Sequence, residues 1–140
     1  MSDEIVHTDA APKPVGAYPH ARRVGNLLFL SGIGPRNAKD NSIPGGPIKN
    51  PDGSPRDYDV RAQTRAVIAN VKAVLEVCGS SFERIVNVTV YLVDMDRDFA
   101  AYNEVWAVYF SGVQSARTTV AITALPTPIA VEFQVTATVG

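Results

Sequence analysis

The sequence is poor in the residues that build metal centres and covalent staples. Cys78 is its single cysteine, so no disulfide can form within the chain. His7 and His20 are the only histidines, and with one cysteine they leave a structural zinc site without ligands. No apolar run approaches the ~18 residues that cross a bilayer. The stretch MSDEIVHTDAAP starts acidic and lacks the apolar core of a secretory signal. Charge of one sign is missing too: 13 Lys and Arg face 14 Asp and Glu, for a net charge of −1. A sequence-independent grip on nucleic acid needs a clustered basic surface, which that balance argues against. The expectation is a cytoplasmic domain that engages neither membrane nor nucleic acid.

What is there is ordinary globular material, 46% hydrophobic and 19% charged over 140 residues. That length suits one domain, residues 1–140, able to bury roughly 68–70% of its unfolded surface. In RRVGNLLFLSG the turn-forming Gly25-Asn26 predicts two short strands in a hairpin. Residues 35–59 are crowded with Gly, Pro, Asn and Asp and have no periodicity, so they read as a long loop. Loops beyond ~15 residues in a compact domain are uncommon and usually functional or disordered.

The next segment, YDVRAQTRAVIANVKAVLEVCGSS, is helical by its spacing. Val60, Val67, Val71, Val74, Leu75 and Cys78 share a stripe, Asp57 or Asp59 can cap the start, and Gly79 can end it. Cys78 on that stripe is a core residue rather than a nucleophile. Strict alternation in RIVNVTVYLVD predicts a strand with Val86, Val88, Val90 and Leu92 inward. A second helix follows, with Phe99, Tyr102, Trp106 and Tyr109 or Phe110 on one side. The sum is an α+β domain whose two helices pack on one sheet face.

The segment SARTTVAITALPTPIAVEFQVTA, read as a final hairpin broken at LPTP, holds only two charges, Arg117 and Glu132. Its second strand turns Val131, Phe133, Val135 and Ala137 to the helices and Glu132, Gln134, Thr136 and Thr138 outward. An outer face of small polar residues with little charge suits burial against another copy of the chain. Arg117 and Glu132 then admit two readings. One is a cross-strand ion pair, worth about 0.2–1 kcal/mol if exposed. The other is an arginine fork for a substrate carboxylate beside a glutamate that handles water or a proton.

The blocks GAYPHARRVGNLLFLSG, QTRAVIANVKAVLEVCGSSFERIVNVTVYLVDMDRDFAAYNEVW and ARTTVAITALPTPIAVEFQVTA, in this order, resemble the RidA (YjgF) family of enamine/imine deaminases. The resemblance implies a chorismate-mutase-like α+β fold assembled as a homotrimer, with sites in clefts between subunits and trimers able to pair into hexamers. It implies that Arg117 binds the substrate carboxylate and that Glu132 positions the water. Tyr18, Gly32 and Asn103 match further pocket positions, Tyr18 beside the catalytic pair. Departures fall at Thr119, where many members carry Cys or Ser, at Ile33, where Gln is common, at Gln134, and in the long loop. No metal or other cofactor is required for such chemistry. The loop, Ile33 and LSGIGPR are similar to the branch that includes 2-aminomuconate deaminase, which forms 4-oxalocrotonate and ammonia in aromatic catabolism. Arg36, or Arg22 and Arg23, could then hold a distal carboxylate. General clearance of 2-aminoacrylate-type enamines is the alternative, and a non-catalytic ligand-binding trimer another.

Overall fold

A computed structural model describes residues 3–140. One six-stranded sheet carries two helices, in the chain order β1 (Asp3–Val6), β2 (Ala21–Val24), β3 (Leu27–Leu30), α1 (Val60–Val77), β4 (Ile85–Leu92), α2 (Met95–Phe110), β5 (Ala116–Ala121) and β6 (Val131–Thr138). Gly25, at φ +62°, takes the first position of the β2–β3 turn, where a side chain would be strained. Asp59 caps α1 by accepting from the Arg61 and Ala62 amides at 2.9 and 3.2 Å, a device worth ~1 kcal/mol. The α1 stripe is buried as its spacing predicts, from Val60 through Val67, Val71, Val74 and Leu75 to Cys78.

Three features depart from the sequence reading. β1 was not foreseen, because its DEIV carries two acids and lacks alternation; it pairs antiparallel with β2. The final two strands are not a hairpin. The sheet order is β1-β2-β3-β6-β4-β5, so β5 runs parallel to β4 at one edge and β6 is inserted between β3 and β4. The β4–α2–β5 segment is thus a parallel crossover unit, whose strand spacing a hairpin reading cannot distinguish from two adjacent strands. Finally, Val86 does not share the inward face. A bulge between Ile85 and Asn87 turns Ile85 into the core and leaves Val86 exposed.

Residues 35–59 hold no helix or extended strand, yet they are tied down at several points. The Gln63 side chain of α1 donates to the Gly46 carbonyl at 2.9 Å and accepts from the Ala130 amide at 2.8 Å. At the far end of the loop, Tyr58 donates to the fully buried Asp98 at 2.5 Å, and Arg97 holds Asp98 at 2.6 Å and Asp57 at 2.7 Å. Burial and the neighbouring carboxylate push the Tyr58 hydroxyl well above its ordinary pKa. The loop is therefore anchored to both helices.

Candidate functional site

The register puts Arg117 opposite Val88, and Val88 opposite Val135; both valines lie in the core beneath the helices. Arg117 consequently points to the helix side, at the edge strand β5. Its guanidinium donates to Asn103 Oδ1 at 2.8 Å. It also stands 4.9 Å from the Trp106 ring centroid, 5.4 Å from Tyr102 and 5.9 Å from Phe99. These residues arrive together because 99, 102, 103 and 106 fall on one face of α2. Thr119, two residues on, shares its hydroxyl with that of Tyr102 at 2.9 Å. Arg117 has no carboxylate partner among the described residues. A cation held by aromatic rings and a neutral amide keeps its fork available for an anion.

Glu132 belongs to a different cluster. Its register partner is Tyr91, whose other neighbour is the exposed Val120, so it projects from the outer face. From Phe29 to Ile33 the chain advances four residues while β6 advances three, from Thr136 to Phe133, which leaves one extra residue. This bulge carries Gly32 and brings its backbone against the Glu132 carboxylate. A Cβ at Gly32 would lie 2.6 Å from Glu132 Oε2, so only glycine leaves the acid where it is. Burial pushes the Glu132 carboxyl above its ordinary pKa, and the positive charge of Arg36 acts in the opposite sense. No ion pair joins Glu132 to Arg36 or to Arg117 among the described residues, which removes the cross-strand pair as an account of the hairpin charges.

On the far side of Gly32, a cavity of about 40 Å³ is bordered by Tyr18, Ser31, Gly32, Ile33 and Arg36. It adjoins an open groove of about 930 Å³ along the segment before β2, which shares Pro14 and Tyr18. The Tyr18 hydroxyl accepts from the Val15 amide at 3.3 Å, closing its own turn, and its ring is 39% exposed to the groove. Ile33 is buried through its bridge to Phe133 and contributes more to the core than to a pocket wall. Arg22 and Arg23 border neither hollow: Arg22 pairs with Asp3 at 3.3 Å, and Arg23 donates to the Gly25 carbonyl at 2.8 Å.

His20 is largely buried, though it borders both hollows. Its Nδ1 accepts from the Thr8 amide at 3.2 Å and its Nε2 donates to the Pro12 carbonyl at 2.8 Å. It fastens the segment that carries Tyr18. Asn70 of α1 was missed altogether: its side-chain amide donates to the Gly34 and Arg36 carbonyls, both at 2.9 Å. An exposed-looking asparagine in a helix offers no sequence signal for a bond to a loop more than thirty residues earlier.

The family described as Endoribonuclease L-PSP matches residues 8–139. A RutC family protein of Pyrococcus horikoshii is 40% identical over 131 residues, 94% of each chain. A 2-iminobutanoate/2-iminopropanoate deaminase of the mite Dermatophagoides farinae is 32% identical over 130 residues, 93% of this chain and 91% of its own. Among solved structures, RidA from an Antarctic Psychrobacter superposes with a TM-score of 0.82 at 31% identity, covering 97% of this chain and 99% of that one. The 2-aminomuconate branch finds no support in these names. From the matched span, the shared identity and the common fold, the chain belongs to the Endoribonuclease L-PSP family, that of the RutC and Rid proteins.

Proposed function

We propose that the protein is a hydrolytic deaminase of small imines and enamines that carry a carboxylate. The single observation that carries this reading is the pair of unspent groups, an arginine with no acid partner and a half-buried glutamate with no ion pair among the described residues. The relative named as a 2-iminobutanoate/2-iminopropanoate deaminase supports it. In the reaction an enamine first tautomerises to its imine. Arg117 holds the carboxylate by charge-assisted hydrogen bonds. Ionised Glu132 takes a proton from the water whose oxygen bonds to the imine carbon, while the C=N π bond opens and the nitrogen takes a proton from bulk solvent. Glu132 then returns its proton to the carbinolamine nitrogen, the C–N bond breaks to release ammonia, the hydroxyl proton passes to solvent, and a 2-oxo acid is left. The raised pKa of Glu132 suits the first of these transfers, since the conjugate base of a weaker acid takes a proton from water more readily. Thr119 and Asn103 orient Arg117 or the ligand, and Tyr18 offers a neutral hydroxyl at the groove.

Because Arg117 and Glu132 lie on opposite faces of one sheet, a site containing both draws them from different subunits. This supports a homotrimer with sites between chains. The outer face also leaves Val24, Leu27, Phe29 and Val120 more than a third exposed, an apolar surface suited to a second copy. A diacid such as 2-aminomuconate is the finer reading, favoured by the second arginine, Arg36, beside Glu132. An RNA-cleaving role, which the family description names, has against it the net charge of −1. The deciding experiment is ammonia release from freshly generated 2-iminopropanoate. Turnover by wild type, lost in Glu132→Gln with ligand binding retained, supports an enzyme; binding without turnover in wild type would leave a sensor.

A further inference from the structure

Arg36 is held in place without being neutralised. Its NH1 donates to Asn41 Oδ1 at 3.0 Å and its NH2 to the Lys13 carbonyl at 2.9 Å. Both acceptors are uncharged, and the remaining donors of the guanidinium fork make no hydrogen bond among the described residues. Its backbone carbonyl is gripped by Asn70, which also grips Gly34 two residues before it. The charge of Arg36 acts on Glu132, yet no ion pair joins them among the described residues, and Arg36 borders the small cavity along with Gly32 and Tyr18. An arginine fastened by neutral acceptors next to an acid it does not touch is arranged to receive a third group. The sign of that group must be negative, because the fork offers only donors and a positive charge.

Resting on the deaminase reading above, we propose that Arg36 is a specificity residue that binds a second carboxylate of the substrate. Asn70 acts on it as a positioning residue. The reacting carbon then sits between two cations, with Arg117 on the proximal carboxylate and Arg36 on the distal one. Glu132 and its water stand between them. The substrates so selected are imines or enamines of dicarboxylic acids, with the second acid on the carbon chain beyond the imine.

The test compares a ladder of imines generated in place: 2-iminobutanoate, 2-iminosuccinate, 2-iminoglutarate and 2-aminomuconate. In Arg36→Ala all rates fall, since the charge beside Glu132 is lost as well. The ratio of kcat/KM for the best diacid to that for 2-iminobutanoate falls further, by roughly tenfold or more, the value of a charge-assisted hydrogen bond. Arg36→Lys restores part of that ratio, and Asn70→Ala lowers it in the same direction through KM rather than kcat. An unchanged ratio in Arg36→Ala, with 2-iminobutanoate still deaminated, overturns the assignment while the deaminase reading stands. If wild type turns over none of the four, the deaminase reading fails, and calorimetry with glutarate against butanoate decides the binding question alone. Preference for glutarate that Arg36→Ala abolishes supports the second carboxylate site; equal binding overturns it.

Discussion

Arg117 and Glu132 project from opposite faces of the same sheet, Arg117 under α2 and Glu132 over the bulge at Gly32. On the proposed deaminase reading, a single subunit then holds two half-sites. Arg117→Ala and Glu132→Gln, each impaired alone, are expected to regain part of the activity when co-expressed, because a mixed assembly can unite an intact half from each chain. Assay of the purified mixed oligomer checks this, and no recovery would place both residues in one subunit's site.

Arg117→Ala is expected to lower kcat/KM by roughly 10- to 150-fold, the loss of charged hydrogen bonds worth about 1.5–3 kcal/mol. The loss should appear mainly in KM, since the carboxylate is bound before and during reaction. Trp106→Leu removes the ring nearest the guanidinium and should give a smaller effect of the same kind. Steady-state kinetics on 2-iminopropanoate separates KM from kcat.

Gly32→Ala tests the bulge. The added methyl meets the far end of a flexible side chain, so the fold survives, but Glu132 is displaced from its seat. A kcat reduced by about tenfold or more, with Tm nearly unchanged, is the expected result, in line with the cost of misplacing a general base. Unaltered kcat would separate Glu132 from the chemistry.

The pH dependence follows from the raised Glu132 pKa. Ionised Glu132 is the working form, so kcat/KM should fall on the acid side around a pKa above the ordinary glutamate value of about 4.3. Stability runs the other way. A carboxyl whose folded pKa is raised favours the fold fully below the unfolded pKa, and that contribution is lost as pH rises through the folded value. Glu132→Gln should therefore melt higher than wild type at neutral pH, with the gap shrinking in acid. Thermal melts across pH decide it.

Asp98→Ala strips the partner from both Tyr58 and Arg97. Arg97 keeps some access to water, so the cost should be about 2–3 kcal/mol and the drop in Tm on the order of 10 °C. Activity per folded molecule should persist, because no hydrogen bond joins this cluster to Arg117 or Glu132 among the described residues.

Much of this was legible in the sequence, and what was hidden has physical causes. The α1 stripe from Val60 to Cys78 and the inward set of β6 follow from periodicity alone. Arg117 and Glu132 stood out because each is charged among apolar and small polar neighbours. The outward face of Glu132 followed from alternation, but the helix-side face of Arg117 did not, since alternation fixes parity within a strand but not which strand lies beside it. The bulges at Gly32 and Val86 each shift parity by one residue, which no alternation rule anticipates. Arg36 is visible only as one charge in a long loop until Asn70, Asn41 and the Lys13 carbonyl are seen to hold it.

The position of β6 also bears on how the chain assembles as it is made. It comes after every other element described, yet it is the strand that joins β3 to β4. Until Val131–Thr138 emerges, a nascent chain can form only a three-stranded sheet and a separate parallel pair, each with an open edge facing a gap. Those edges are templates for the wrong partner. Nascent copies stalled before Val131 are the species that chaperones would need to guard.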